Sequence, residues 1–215
     1  MSGATGYIGT RLSGWLIERG HSVTALVRKG SEDKVPAGVS VITGDPFNAE
    51  TFKQHIPAGS VFIQLVGVSH PSPKKAKQFR EIDLKSVKAS ADAAVIAGIS
   101  HFIYVSVAMT PSRLMAAYQA ARKEGEEYCK SKGLNCTFIR PWYVLGPGHW
   151  WPVALLPFYG LAELVPSWRA KARSRALVTI KQMITALTTA AEDTPVPVRV
   201  LEIKDIRKAI LKKNA

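Results

Sequence analysis

The sequence predicts an α/β protein: a doubly wound parallel sheet with helices on both faces. Three observations carry this. A glycine-rich turn opens an amphipathic helix at the chain start. Strand-like apolar runs then alternate with helical segments, which implies right-handed crossovers and a parallel sheet. Two of those runs, 60–67 and 101–107, are apolar nearly throughout, as strands buried on both faces are.

The chain opens Met1-Ser2-Gly3-Ala4-Thr5-Gly6-Tyr7-Ile8-Gly9, with glycines spaced G-x-x-G-x-x-G. Ile8, Leu12, Trp15 and Leu16 follow at helical spacing, and Gly20 supplies a C-cap. A helix N-terminus presents free N–H groups and a positive dipole end, and glycines let a pyrophosphate reach the backbone. His21 to Val27 reads as a strand ending in Arg28-Lys29. In a dinucleotide-binding unit an acid near this point holds the ribose 2′-hydroxyl, whereas a cation suits the 2′-phosphate of NADP. The same two cations also fit an ordinary solvated turn. The glycine fingerprint should follow a strand of its own, and only Met1-Ser2 precedes it. Either the reading frame begins late, the chain is shortened, or the sheet closes differently.

The remaining elements follow in order. Val39 to Asp45 is a strand, Thr51 to Ile56 a short helix, and Ser60 to Gly67 a buried strand. Lys74 to Ala97 is a long helix with Phe79, Ile82, Val87, Ala91, Ala94 and Val95 on its apolar side. His101 to Val107 is a second buried strand, Ala116 to Lys132 a charged helix ended by Gly133, and Asn135 to Arg140 a strand stopped by Pro141. Leu177 to Ala191 and Val198 to Ile203 read as a late helix and a last strand. The expected division is a Rossmann-like nucleotide domain over 1–141 and a small C-terminal substrate lobe over 142–215. The late helix and last strand of that lobe pack back on the main domain.

Gly3-Ala4-Thr5-Gly6-Tyr7-Ile8-Gly9, Ala25-Leu26-Val27-Arg28, Gly44-Asp45, Phe102-Ile103-Tyr104-Val105-Ser106 and Phe138-Ile139-Arg140-Pro141 occur in this order. Together they resemble the atypical or extended short-chain dehydrogenase/reductases, in particular the NAD(P)H-binding, NmrA-like and epimerase-dehydratase-like proteins. That group is related to the NAD(P)H-binding accessory subunit of respiratory complex I. The resemblance spans about residues 2–205. It implies that Gly3, Gly6 and Gly9 form the pyrophosphate turn, lined by Thr5, Tyr7 and Ile8. Arg28 would meet the adenosine phosphate, Asp45 the adenine amine, and Pro46 the adenine ring. Leu65, Val66 and Gly67 would wall the ribose, although Leu65 and Val66 fit plain core equally well. Ser106 would also touch the cofactor, and Pro141, Trp142, Tyr143 and Val144 would lie by the nicotinamide.

Active members of the group use Tyr-x-x-x-Lys with a Ser or Thr from the preceding strand. Tyr118-Gln119-Ala120-Ala121-Arg122 has the spacing, which puts Tyr118 and Arg122 on one helix face. Arg stands where Lys is expected, and the exchange is not conservative. The serine position falls on Val107; Ser106 alternates to the other face, and Thr110 is the substitute. Tyr118 would donate the proton, with Arg122 as its electrostatic partner. His70 and His149 are loop histidines that could enter such a site, although a lone loop histidine more often faces solvent.

Four tryptophans, Trp142, Trp150, Trp151 and Trp168, crowd residues 142–168, followed by Arg169, Lys171, Arg173 and Arg175. Prolines at 147, 152, 157 and 166 argue against one spanning helix. The stretch reads as a packed aromatic subdomain, a pocket for an apolar substrate, or a surface in peripheral contact with a membrane.

The 215 residues carry 29 Lys+Arg against 16 Asp+Glu, a formal net charge of +13. Such an excess attracts anionic partners or keeps the chain soluble. No recognition helix or RNA-binding signature accompanies it, so nucleic acid is not an expected partner. Hydrophobic residues at 47% exclude a disordered chain, and two unpatterned cysteines exclude a disulfide framework or zinc site. No basic segment leads into an apolar run at the start, so a cytoplasmic location is expected. The expected function is an NADP-preferring oxidoreductase (NAD being the other cofactor) acting on an apolar carbonyl or quinone-like compound. The alternatives are a non-catalytic NADP(H)-binding sensor or assembly protein and, third, a sugar-nucleotide epimerase or dehydratase.

Overall fold

A computed structural model of the chain describes residues 1–148 and 176–211. Helix α1 (Tyr7–Glu18) leads into β1 (Thr24–Val27) and β2 (Ser40–Thr43). Strand β3 (Val61–Gln64) is followed by α2 (Ala76–Gln78), a π-helical segment (Phe79–Leu84) and α3 (Lys85–Ala97). Then come β4 (His101–Val105), α4 (Ala116–Ser131), β5 (Cys136–Ile139), and the short strands β6 (Val144–Leu145) and β7 (Val178–Thr179). Helix α5 (Ile180–Glu192), β8 (Val198–Leu201) and α6 (Ile203–Lys208) end the described chain.

The strand expected to be missing is represented by one residue. Ser2 bridges Leu26 of β1 and Gln64 of β3, parallel to both. Its N–H donates to the Ile63 carbonyl at 3.0 Å, and its carbonyl accepts from the Leu65 N–H at 3.1 Å. The Met1 carbonyl accepts from the Leu26 N–H at 2.8 Å. The sheet therefore runs β2-β1-Ser2-β3-β4-β5-β8, parallel throughout. Ser2 is the switch point from which the order runs outward in both directions, and ligands in such sheets sit at the strands' carboxyl ends there. Ser2 is held laterally too. Its hydroxyl bonds the buried Gln64 side chain, which donates to Ser86 at 3.0 Å, and Ser86 donates to the Asp83 carbonyl at 3.0 Å. On the amino side, the Met1 amine donates to the Thr24 carbonyl at 2.6 Å, and burial pushes it down to about 5.

Alternation along the strands sorts the core onto two faces. Ile63, Ile103 and Ile139 face Leu12 and Leu16 of α1 and Met183 and Leu187 of α5. Phe62, Phe102, Tyr104 and Phe138 face Val87, Ala91 and Ala94 of α3 and Cys129 of α4. Helix α5 is stopped from fraying by a capping box in which Thr179 and Gln182 bond each other's backbone N–H. It packs on α1, and β8 pairs with β5, so both belong to the main sheet's two layers.

Two elements depart from the sequence reading. The segment 51–56 forms two single 3₁₀ turns, Ala49–Thr51 and Lys53–His55, rather than an α-helix. Pro57 follows directly, leaving too few residues to offset helix nucleation. The long helix over 74–97 is interrupted by the π-helical segment at Phe79–Leu84. The aromatic-basic stretch from His149 to Arg175, including Trp150, Trp151 and Trp168, lies outside the described residues.

Candidate functional site

The turn between Ser2 and α1 is determined by backbone crowding. Gly3 has φ +75°, and a Cβ there would lie 2.8 Å from the Leu65 carbonyl carbon. A Cβ on Gly9 would meet the Gly3 carbonyl oxygen and come within 2.6 Å of Ala4 Cα. Neither neighbour is a movable side chain, so only glycine fits at either position. Gly6 caps α1 without a side-chain bond, and the first turn carries no acid. The helix thus offers uncapped N–H groups and its positive end to the crevice, where a phosphate anion would sit.

Two adjoining cavities open at the carboxyl ends of the strands. The first, of about 390 Å³, is lined by Gly3, Thr5, Gly6, Arg28, Pro46, Leu65, Val66 and Gly67 among the expected residues. It also takes in Val27, Ser31, Phe47 and Ile82, which sequence reasoning did not mark. Phe47 adjoins Pro46 and carries Lys85 Nζ 5.7 Å from its ring centroid, so the Asp45-Pro46 signal could have been extended by one residue. Asp45 itself is exposed and outside this lining; its Oδ1 accepts the Phe47 N–H at 2.9 Å and so shapes the turn. Gly9 is likewise outside the lining, because its part is the close packing of α1 on the turn.

The second cavity, of about 210 Å³, is lined by Tyr7, Ile8, Leu65, Gly67, Ser106, Tyr118, Arg122, Pro141, Trp142, Tyr143 and Val144 of the expected residues. His70, at φ +50°, contributes as well, with Val68, Pro71, Val105 and Val107. Leu65 and Gly67 line both cavities, so the β3 loop is their common wall. Ser106 is among the residues lining this cavity. It falls one residue past the end of β4, and its Oγ is buried without a hydrogen-bond partner among the described residues. Thr110 is absent from both linings; its carbonyl accepts the Gln119 side-chain amide at 2.7 Å, which ties the loop to α4.

Tyr118 is 9% exposed and packs at 4.9 Å, centroid to centroid, against Phe79. Burial raises its phenol above the ordinary value, and the Arg122 cation 5.1 Å from the ring opposes that. Arg122 holds other groups as well. Its Nη2 lies 2.5 Å from Asp83 Oδ1, and its Nη1 donates to the Val105 carbonyl at 2.8 Å and the Tyr104 hydroxyl at 3.3 Å. Asp83 is fully buried; burial raises its carboxyl, and Arg122 and the Val68 N–H oppose the rise. Sequence reasoning missed Asp83. The available signal was an acid placed among the apolar positions of a long helix.

The two cavities therefore present a glycine turn at a helix N-terminus, a cation in Arg28, and a chamber of apolar and polar side chains beyond. Those features fit a nicotinamide dinucleotide. Residues 3–146 match the family model described as NAD(P)H-binding. The chain belongs to that family. Among curated relatives, it is 24% identical over 210 residues to a ceramide reductase of Caulobacter vibrioides, covering 97% of this chain and 64% of that protein. It is 27% identical over 140 residues to the photosystem II assembly factor Ycf39 of Cyanophora paradoxa, covering 64% of this chain and 43% of that protein. The chain thus spans less than two thirds of either relative. Among solved structures, MoeE5 in complex with UDP-glucose and NAD superposes with TM-score 0.69 at 19% identity, covering 94% of this chain and 74% of that one. WbmH of Bordetella bronchiseptica in complex with NAD+ gives 0.68 at 17% identity, covering 94% and 73%. At such identity these likenesses speak for the NAD-binding Rossmann-like fold alone. No described helix is long and apolar enough to cross a membrane.

Proposed function

We propose that this NAD(P)H-binding protein is an NADP-preferring reductase of the atypical short-chain type, acting on an apolar carbonyl or quinone-like compound. The observation that carries the reading is the pair of cavities sharing Leu65 and Gly67. One has the lining a dinucleotide needs, and the other brings Tyr118 and Ser106 together with Trp142 and Tyr143. The preference for NADP rests on Arg28, which lines the first cavity where NAD-binding sites carry an acid. Bound NADPH would supply the hydride. Tyr118 would hold the proton for the nascent alkoxide: burial keeps its phenol protonated well above neutral pH. The Ser106 hydroxyl, which has no hydrogen-bond partner among the described residues, would donate to the same oxygen. The reductase named among the relatives, which acts on a lipid by its name, agrees with an apolar substrate.

The experiment is NADPH titration followed by turnover against a panel of apolar carbonyls and quinones. Gly6→Asp places a carboxylate at the helix end and should weaken NADPH by about tenfold or more. Tyr118→Phe should leave NADPH affinity within about twofold and lower turnover about a hundredfold. Absence of turnover on the whole panel, with binding intact, would favour a second reading, an NADP(H)-responsive assembly or sensor protein. The specific observation behind that reading is Arg122, which Asp83 holds as an ion pair where the family's lysine would serve catalysis.

A further inference from the structure

Three features around Gly67 belong together. A Cβ on Gly67 would occupy the position of Arg122 Nη2 and lie 3.0 Å from Asp83 Oδ1. Asp83 Oδ2 accepts the Val68 N–H at 3.2 Å, so the carboxylate grips the residue after Gly67 while its other oxygen holds the guanidinium. Asp83 stands on the π-helical segment Phe79–Leu84, and that segment also carries Phe79, the ring against Tyr118. A π-turn adds a residue to the helical register, and such insertions recur where a side chain must be aimed. Gly67 lines both cavities.

We propose that Asp83 and Arg122 form a clamp that positions the Gly67–Val68 loop, the wall shared by the two cavities. Arg122 is then a positioning residue for the cofactor, in addition to being the cation that lies 5.1 Å from the Tyr118 ring. The donor geometry supports this: Nη1 is spent on the Val105 carbonyl and the Tyr104 hydroxyl, and Nη2 on Asp83. Lysine cannot replace Arg122. One ammonium cannot reach a carboxylate, a backbone carbonyl and a phenol with the planar fork that arginine presents. Gly67 is the counterpart of that fork, since nothing larger than hydrogen leaves Nη2 its place.

The inference rests on the cofactor reading above, and its test separates the two. The full chain and the variants Gly67→Ala, Arg122→Lys and Gly67→Ala/Arg122→Lys are titrated with NADPH by cofactor fluorescence. Gly67→Ala and Arg122→Lys should each weaken binding by about tenfold. In the Arg122→Lys background, where the slimmer side chain vacates Nη2's place, Gly67→Ala should cost less than about threefold further. Two single effects that simply multiply, or an Arg122→Lys protein that binds as the parent does, overturn the clamp. Hydrogen exchange of the Val68 amide in the unsubstituted chain gives a measurement independent of variants that fail to fold. The clamp requires that amide to be protected like the β3 amides; exchange at the rate of an open loop overturns it. Failure of the parent chain to bind NADPH overturns the cofactor reading, and the Val68 amide then still decides the Asp83 contact.

Discussion

The cavity at the Gly3 turn and the cavity at Tyr118 share Leu65 and Gly67 but are built by different means. The first depends on backbone: the Gly3 turn, the uncapped end of α1 and the loop after β1. The second depends on side chains from separate segments: Tyr7 on α1, Ser106 after β4, Tyr118 and Arg122 on α4, and Trp142 and Tyr143 after β5. A backbone cradle binds what every dinucleotide has in common, its pyrophosphate, and tolerates change in the side chains around it. A chamber of side chains sets the shape and polarity of what fits inside it, and one substitution changes both. The Arg122–Asp83 ion pair lies on the second side, 5% and 0% exposed, where removing one partner leaves a buried charge.

The strongest way to break this contrast is to put a side chain into the cradle. Gly9→Val drives its Cβ onto the Gly3 carbonyl, and α1 must leave the sheet. The expected loss is about 3 kcal/mol or more of stability, with NADPH binding abolished; urea unfolding and titration check both. Unchanged stability would show that the cradle is more adaptable than its contacts imply.

A stability loss imposed away from both cavities sharpens the contrast. His101 is 1% exposed at the start of β4, bonded to Thr137 at 2.8 Å, and burial, assisted by Arg199, lowers it to about 4. In the unfolded chain it takes up its proton near pH 6.5, so between pH 6.5 and 4 the unfolded state binds more protons. Its contribution is complete above 6.5 and falls away as the pH drops to about 4, by up to about 3 kcal/mol. Urea unfolding across that range should show the slope, and His101→Gln should flatten it. A slope that persists in the variant would assign the titration to another group.

The smallest effect separates the cofactors. Arg28 is exposed in the lining of the first cavity; with a 2′-phosphate as its partner, Arg28→Ala should weaken NADPH by about fivefold and leave NADH unchanged, the scale of a solvated charge pair. Equal weakening of both would move Arg28 from the 2′-phosphate to the pyrophosphate.

The same division explains what was legible in the sequence. Gly3, Gly6 and Gly9 are close along the chain, and their spacing alone specifies the cradle. Apolar runs and breakers mark β3, β4 and α4 to within a few residues for the same local reason. Asp83 and Arg122 are far apart in sequence and meet only because α4 packs on the π-helical segment. Nothing local announces a π-turn, so the pair could not be read, and Arg122 looked like a bare lysine substitute. Ser106 lies one residue past Val105, where β4 ends, so strand alternation does not fix the side it faces. Ser2 shows the opposite case: a strand of one residue has no periodicity to read, yet its bonds on both sides place it at the switch point.

If the two cavities together hold a nicotinamide dinucleotide with its 2′-phosphate at Arg28, titration of the full chain with NADPH and with NADH, read by cofactor fluorescence, should give saturable binding of both, tighter for NADPH, with competition between them. No binding of either cofactor, or tighter binding of NADH, would overturn that assignment.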